Sequence, residues 1–261
     1  MNATALARRV FYALALPIVL IAVWWFASAG SQSFFWPPLK DIVSAFPTTW
    51  FHGRITSDVL PSLTRLIVGY VLAVLLGVGI GIPIGLSKRL RAFAEPTLEF
   101  FRAIPPPVLV PIIALFSGYT GNLSKIITIV LGCLWPVLLN TVEGVRAVDE
   151  VLIDTAKVYH MRRRTQLSQV ILRGSSPQIA AGARQALSIG VILMVISELF
   201  GASGGLGYSI VQFQRSFAIP QMWTGIIMLG LLGVLLSVIF QLVERRALAW
   251  YRGQRDANRG A

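Results

Sequence analysis

Charge is scarce in this 261-residue chain. Only 13% of its residues are Asp, Glu, Lys or Arg, against roughly 25% in a soluble domain. Acidic residues number 11 and histidines two, His52 and His160. So small a set gives no His/carboxylate cluster at metal-ligand spacing. It also gives no clustered carboxylates for headgroup transfer and no Ser/His pair for proteolysis within a membrane. The one cysteine, Cys133, excludes an intramolecular disulfide and a paired-thiol metal site. It lies in an apolar block and reads as a small core residue. A GxxxxGK[ST] loop is absent, so no site for nucleotide phosphates is evident. The glycine-rich "GASGGLG" at 201–207 lacks the lysine and the preceding strand, and reads as a tight loop.

What the chain has is apolar blocks. Hydrophobic residues make up 55% of it, in runs near the roughly 18 residues that span a bilayer. The spacing predicts an all-α membrane protein with six transmembrane helices, near 11–28, 64–86, 97–118, 124–143, 182–201 and 222–243. The first block is long and no small-residue cleavage site follows it, so a retained span is expected rather than a signal peptide.

The net charge of +12 raises nucleic acid as a partner, but no basic groove with interleaved aromatics appears. The basic residues cluster at block ends instead. Arg8 and Arg9 precede the first span, and Lys88, Arg89 and Arg91 join the second to the third. Arg146, Lys157, Arg162, Arg163, Arg164, Arg173 and Arg184 surround the fourth connection, and Arg245, Arg246, Arg252, Arg255 and Arg259 follow the sixth span. Seventeen of the 23 Lys and Arg thus fall on one face, which the positive-inside rule makes cytoplasmic, with both termini on it. The outer segment 29–63 carries Trp36, Trp50 and Phe51, which suit an interfacial piece with a short helix near 39–50. Trp24, Trp25, Trp250 and Tyr251 suit anchors at the membrane edges or plain lipid contacts.

Span two repeats Gly69, Ala73, Gly77, Gly81 and Gly85 at four-residue spacing, a stripe that lets another helix backbone approach closely. Gly182, Ala186 and Gly190 repeat the pattern more weakly in span five. Span three opens "FRAIPPPVLVP", and Pro105, Pro106, Pro107 and Pro111 bend or break a helix. This helix is expected to face protein or a cavity. A loop entering the membrane late, with the span starting near Val108, is the other reading. Among ionisable residues, Glu198 and then Arg102 fall deepest in the spans. Each is a candidate for a translocation path, and a structural pairing of Glu198 with a backbone donor is the alternative.

Residues 144–181 form a long inner connection. From Asp149 to Tyr159 the pattern predicts a short helix with Val151, Thr155 and Tyr159 on one face. Its acids lie at the start, where the helix dipole favours them. A second amphipathic piece follows, with Leu167, Val170 and Ile171. Helices this short must dock on the protein's own inner surface, on headgroups or in a partner's groove.

The chain resembles the permease subunits of bacterial ABC importers, the binding-protein-dependent inner-membrane components. Their cytoplasmic loop carries E-A-A-x-x-x-G, then about nine residues, then an apolar residue before L-P. Here that pattern meets Asp154, Thr155, Ala156 and His160, with Val170, Ile171 and Leu172 downstream. "PQIAAGARQAL" continues it from Pro177. The stretches "PSLTRLIVGYVLAVLLGVGIGIPIGLSKRLRAFAEPTLEFFRAIPPPVLVPIIALFSG" and "SELFGASGGLGYSIVQFQRSFAIPQMWTGIIMLGLLGVLLSVIFQLVERR" are similar to the sulfonate, taurine and nitrate type. The loop departs from the pattern at four places: Asp154 for Glu, Thr155 for Ala, His160 for Gly and Arg173 for Pro. The family's glycine serves a left-handed turn, which histidine adopts at greater cost.

The resemblance implies a type I ABC importer permease fold in the bacterial cytoplasmic (inner) membrane. It divides the chain into an N-terminal span with an outer segment (1–63), a five-span core (64–246) with the coupling loop 144–181, and a basic tail (247–261). It also implies a coupling helix of Asp154, Thr155, Ala156, Tyr159, His160, Met161 and Arg162 that contacts an ATPase. Arg102, Pro106 and Glu198 become candidates for the path or gate, and Gly77, Gly81 and Gly85 for helix packing. The implied partners are two cytoplasmic ABC ATPase subunits, an extracytoplasmic substrate-binding protein and a second permease copy, as a homodimer or a heterodimer. ATP and Mg would sit on the ATPase and no cofactor on this chain. A secondary transporter or channel whose basic loop only meets headgroups, and a membrane enzyme, are the competing readings.

Overall fold

Among the described residues every regular element is a helix. The computed structural model describes residues 3–251 and 253. Arg252, Arg255 and Arg259 lie outside the described residues, as do the side chains of Arg8 and Arg9. The helices are α1 (Ala3–Ser28), α2 (Leu39–Trp50), α3 (Leu60–Leu86), α4 (Lys88–Ala103), α5 (Leu109–Ser117), α6 (Asn122–Arg146), α7 (Glu150–Val158), α8 (Arg163–Thr165), α9 (Leu172–Leu199), α10 (Leu206–Arg215) and α11 (Ile219–Ala247).

Two of these lengthen through wide π turns. Ile55–Val59 runs into α3, and Gln166–Ile171 joins α8 to α9, giving one helix from Arg163 to Leu199. The amphipathic piece around Leu167 and Val170 is therefore not a separate helix. It is the first part of the long one, because no Gly or Pro interrupts 163–171 and the freed backbone groups find i−5 partners.

Among the described residues four helices are long and apolar enough to cross a membrane: Ile55–Leu86, Asn122–Arg146, Arg163–Leu199 and Ile219–Ala247. The pair α4 and Pro106–Ser117 makes a fifth if counted together, bent by 74°. The break falls at the prolines of 105–107, where Pro105 is extended (ψ 120) and cannot continue α4. Within α1, the described apolar part is Ala15–Ser28, shorter than a full span.

The core is a three-helix stack with α6 in the middle. Gly69, Gly77, Gly81 and Gly85 of α3 lie so close to α6 that a Cβ would fall 2.8 Å from Ile129, 2.8 Å from Val137, 2.7 Å from Thr141 and 2.6 Å from Val145. Ala73, in register with them, is fully buried. On the other side of α6, Gly182 of α9 meets Asn140 and Gly190 meets Cys133. Cys133 is buried and its thiol donates to the Ala186 carbonyl at 3.1 Å. Small residues bring the backbones together and so gain dispersion contacts that lipid cannot offer. The outward faces of α3 (Val71, Leu72, Leu75, Leu76) and α11 (Leu231, Val234, Leu235, Val238) stay exposed, as a lipid-facing surface requires.

α2 lies across one end of this stack. Ser28 Oγ accepts from Leu39 N at 3.0 Å, fixing the α1–α2 corner, and the buried Trp50 indole donates to Thr224 Oγ1 at 3.1 Å, tying α2 to α11.

Candidate functional site

α7 begins where Asp149 turns its carboxylate onto the Val151 amide at 2.9 Å, an N-cap that satisfies one of the orphan donors of the first turn. Only Ala156 is buried, at 3% exposure, and it seats the helix beside the π turn Gln166–Ile171. Asp154 and Lys157 pair at 2.8 Å on the solvent side. Val151, Leu152, Val158 and Tyr159 are all exposed, Tyr159 by 78%. A nine-residue helix thus presents aliphatic and aromatic side chains that none of the described residues covers.

Its end is a Schellman turn. The His160 amide donates to Lys157 O at 2.9 Å and the Met161 amide to Ala156 O at 3.0 Å, the paired bonds that close such a motif. The residue between cap and exit must be left-handed, and His160 has φ 49. Histidine therefore occupies the glycine position with the glycine conformation. The chain leaves through Arg162, extended at ψ 141, into α8.

At the far end of α9 lies a buried polar cluster. Glu198, 1% exposed, accepts from Arg65 Nη1 at 2.7 Å, Ser62 Oγ at 2.7 Å and the Gly207 amide at 2.9 Å. Arg65 also donates to Gly204 O at 2.8 Å and, through Nε, to Asn122 Oδ1 at 2.8 Å. Asp58 Oδ1 takes the Gly205 amide at 3.3 Å, and Ser62 Oγ takes the Leu206 amide at 2.9 Å. Together they pin the loop 201–207 to α3. Gly205 is at φ 132 and a Cβ there would sit 2.5 Å from the Glu198 carboxyl carbon, so only glycine fits both the torsion and the space.

Arg102 and Pro106 sit elsewhere, at the α4–α5 break. They line a cavity of about 380 Å³ with Trp135, Leu139, Asn140 and Gln185. Arg102 pairs with Glu99 at 3.0 Å, both side chains more than half exposed. The Trp135 ring stacks on Phe101 at 5.5 Å. The structure thus joins Arg102 with Pro106 but leaves Glu198 in a separate place, with a backbone donor among its partners.

The model for the binding-protein-dependent transport system inner membrane component matches residues 69–248. The chain is 33% identical over 239 residues to the aliphatic sulfonates transport permease protein SsuC of Bacillus subtilis (strain 168), covering 91% of this chain and 86% of that one. The chain belongs to this family. It is a permease subunit of an ABC importer, an inner-membrane component whose ATP hydrolysis is done by separate subunits. A second relative, the taurine transport system permease protein TauC of Escherichia coli (strain K12), is 30% identical over 253 residues, 94% of this chain and 92% of that one. The inward-facing MetNI methionine ABC transporter shares the fold, with a TM-score of 0.62 at 18% identity over 73% of this chain and 94% of that one. Membership sets aside the secondary-transporter, channel and enzyme readings, and it brings an ATPase and a substrate-binding protein as partners.

The permease holds charged residues that sequence reasoning passed over. Arg65 and Lys125 are buried, and Lys125 donates to the Tyr119 carbonyl. Both stand one or two residues inside the expected starts of spans two and four, where a cation reads as an interfacial flank. Their signal is that they lie on the face where Lys and Arg are otherwise sparse.

Proposed function

We propose that two copies of this permease assemble with two cytoplasmic ABC ATPase subunits and import a small organic anion such as a sulfonate. An extracytoplasmic binding protein delivers the substrate, and α7 is the helix through which ATPase motion reaches the spans. The chain crosses the membrane six times with both termini cytoplasmic, α1 and the bent α4–α5 pair supplying the two spans beyond the four long helices. ATP and Mg sit on the ATPase, and this chain binds no cofactor. Arg102 and Pro106 border the path, while Glu198 holds the outer loop rather than touching substrate.

The observation that carries the coupling reading is the surface of α7. Its exposed Val151, Leu152, Val158 and Tyr159 form an apolar face that none of the described residues covers, and the Schellman turn at His160 fixes its direction. A helix-in-groove contact buries such a face. The basic residues around it support a cytoplasmic position for the loop. The sulfonate class follows the names of the two relatives.

The test is cross-linking in a Cys133→Ser background. His160→Cys is expected to form a cross-link to a co-purified ATPase subunit at one ATPase per permease. Labelling of that thiol from outside intact cells, or an ATPase that contacts only other residues, refutes the assignment. A second, different permease in the purified complex refutes the homodimer alone. In the same complex Asp154→Lys is expected to lower transport-coupled ATP turnover about fivefold or more, the scale of common coupling free energies, with assembly unchanged.

A further inference from the structure

Polar side chains on membrane helices need water or protein, since lipid satisfies neither donors nor acceptors. On α6 and α9 three amides form a relay. Gln178 Nε2 donates to Asn140 Oδ1 at 3.0 Å, and Asn140 Nδ2 donates to Gln185 Oε1 at 3.2 Å. Asn140 is also anchored to its own helix, on Pro136 O at 2.7 Å. Gln178 and Gln185 are both exposed, and Gln185 lines the cavity at the α4–α5 break. Because Gln185 receives through its carbonyl, its amide nitrogen is turned the other way, and among the described residues it has no acceptor.

The cavity at this face combines three chemistries. Arg102 is its one lining cation, Gln185 a neutral donor, and Trp135 and Leu139 an apolar wall. A volume of about 380 Å³ is in the range of small-molecule sites. Among the described residues no carboxylate lines it. Glu99, which pairs with Arg102, lies one turn back on α4 and is itself more than half exposed.

We propose that this cavity is the anion-recognition point of the translocation path, where Arg102 and the Gln185 amide bind the oxyanion head of the substrate while Trp135 and Leu139 hold its organic part. The proposal rests on the permease reading above and adds the residues and the sign of charge they select. Arg102 exchanges its exposed Glu99 for the substrate anion and back again. One exposed cation with a standby partner binds weakly, which conduction needs: favourable enough to enter, weak enough to leave. Selection here adds to that of the binding protein.

The experiment uses the assembled transporter with Leu139→Cys in a Cys133→Ser background, labelled by two thiol reagents of equal length. One carries a sulfonate (2-sulfonatoethyl methanethiosulfonate) and the other a quaternary ammonium (2-trimethylammonioethyl methanethiosulfonate). The sulfonate-to-ammonium rate ratio is expected to fall about tenfold on Arg102→Gln, a modest share of the field of one nearby cation, and to be kept by Arg102→Lys. Gln185→Ala is expected to slow only the sulfonate reagent. A ratio unmoved by Arg102→Gln overturns the proposal. So does a thiol that neither reagent reaches, which would mean that a second copy or lipid covers the face. These readouts do not depend on the ATPase, so the cross-linking test above fails or succeeds separately.

Discussion

Cutting the Arg65–Glu198 pair is the severest single test of the buried polar cluster. Arg65→Met removes one donor from Glu198 and leaves Gly204 O and Asn122 Oδ1 without the guanidinium they accept from. The carboxylate keeps Ser62 and Gly207 but loses its counter-charge at 0% side-chain exposure. Removing one partner of a buried pair costs about 3–5 kcal/mol. At about 2–4 °C per kcal/mol for a chain of this size, the apparent melting temperature should fall by about 6–20 °C. The double variant Arg65→Met/Glu198→Met leaves no unpaired charge. It should cost less than the sum of the singles, with a coupling of about 1–3 kcal/mol. Size-exclusion profiles of the detergent-purified complex after stepped heating give the melting temperatures. A shift below 2 °C for Arg65→Met, or additive costs in the double variant, would falsify the view that this pair holds the loop.

Two further outcomes use the other sites. Gly81→Leu should unseat α3 from α6, since its Cβ alone would lie 2.7 Å from Thr141, whereas Gly79→Leu, with open space around it, should be tolerated. The yield of monodisperse protein separates them, and equal yields would refute the packing face. His160→Gly should preserve ATP turnover in the assembled complex, while His160→Val, a β-branched residue at φ 49, should cost about 1–2 kcal/mol at the turn and speed hydrogen exchange of the Tyr159, His160 and Met161 amides.

Helix class and close packing were legible because they follow from spacing. The stripe from Gly69 to Gly85 announces a packing face, but only the fold shows that α6 fills it. The prolines at 105–107 announce a break, but not its 74° angle. Glu198 stood out as an acid among apolar neighbours. Its partner did not, because Arg65 is 133 residues away and a long-range pair leaves no periodic trace. The loop 201–207 was legible as a turn from its glycines. The helix α10 behind it was not singled out, since ten residues with mixed polarity carry a weak signal. The amide relay was invisible for the same reason as the ion pair: Gln178 and Gln185 meet Asn140 across 38 and 45 residues.

The unbroken helix from Arg163 to Leu199 has a mechanical consequence. Its 37 residues make a rod about 55 Å long, with α7 seated near one end and Glu198 clamped at the other. A rod held at its tip behaves as a lever. A tilt of about 5° about the Glu198 end moves the Arg163 end by about 5 Å, roughly one helical turn. Small angles at the clamp thus correspond to large strokes at the α7 end. The lever then works in both directions: what grips Glu198 sets how far α7 can travel.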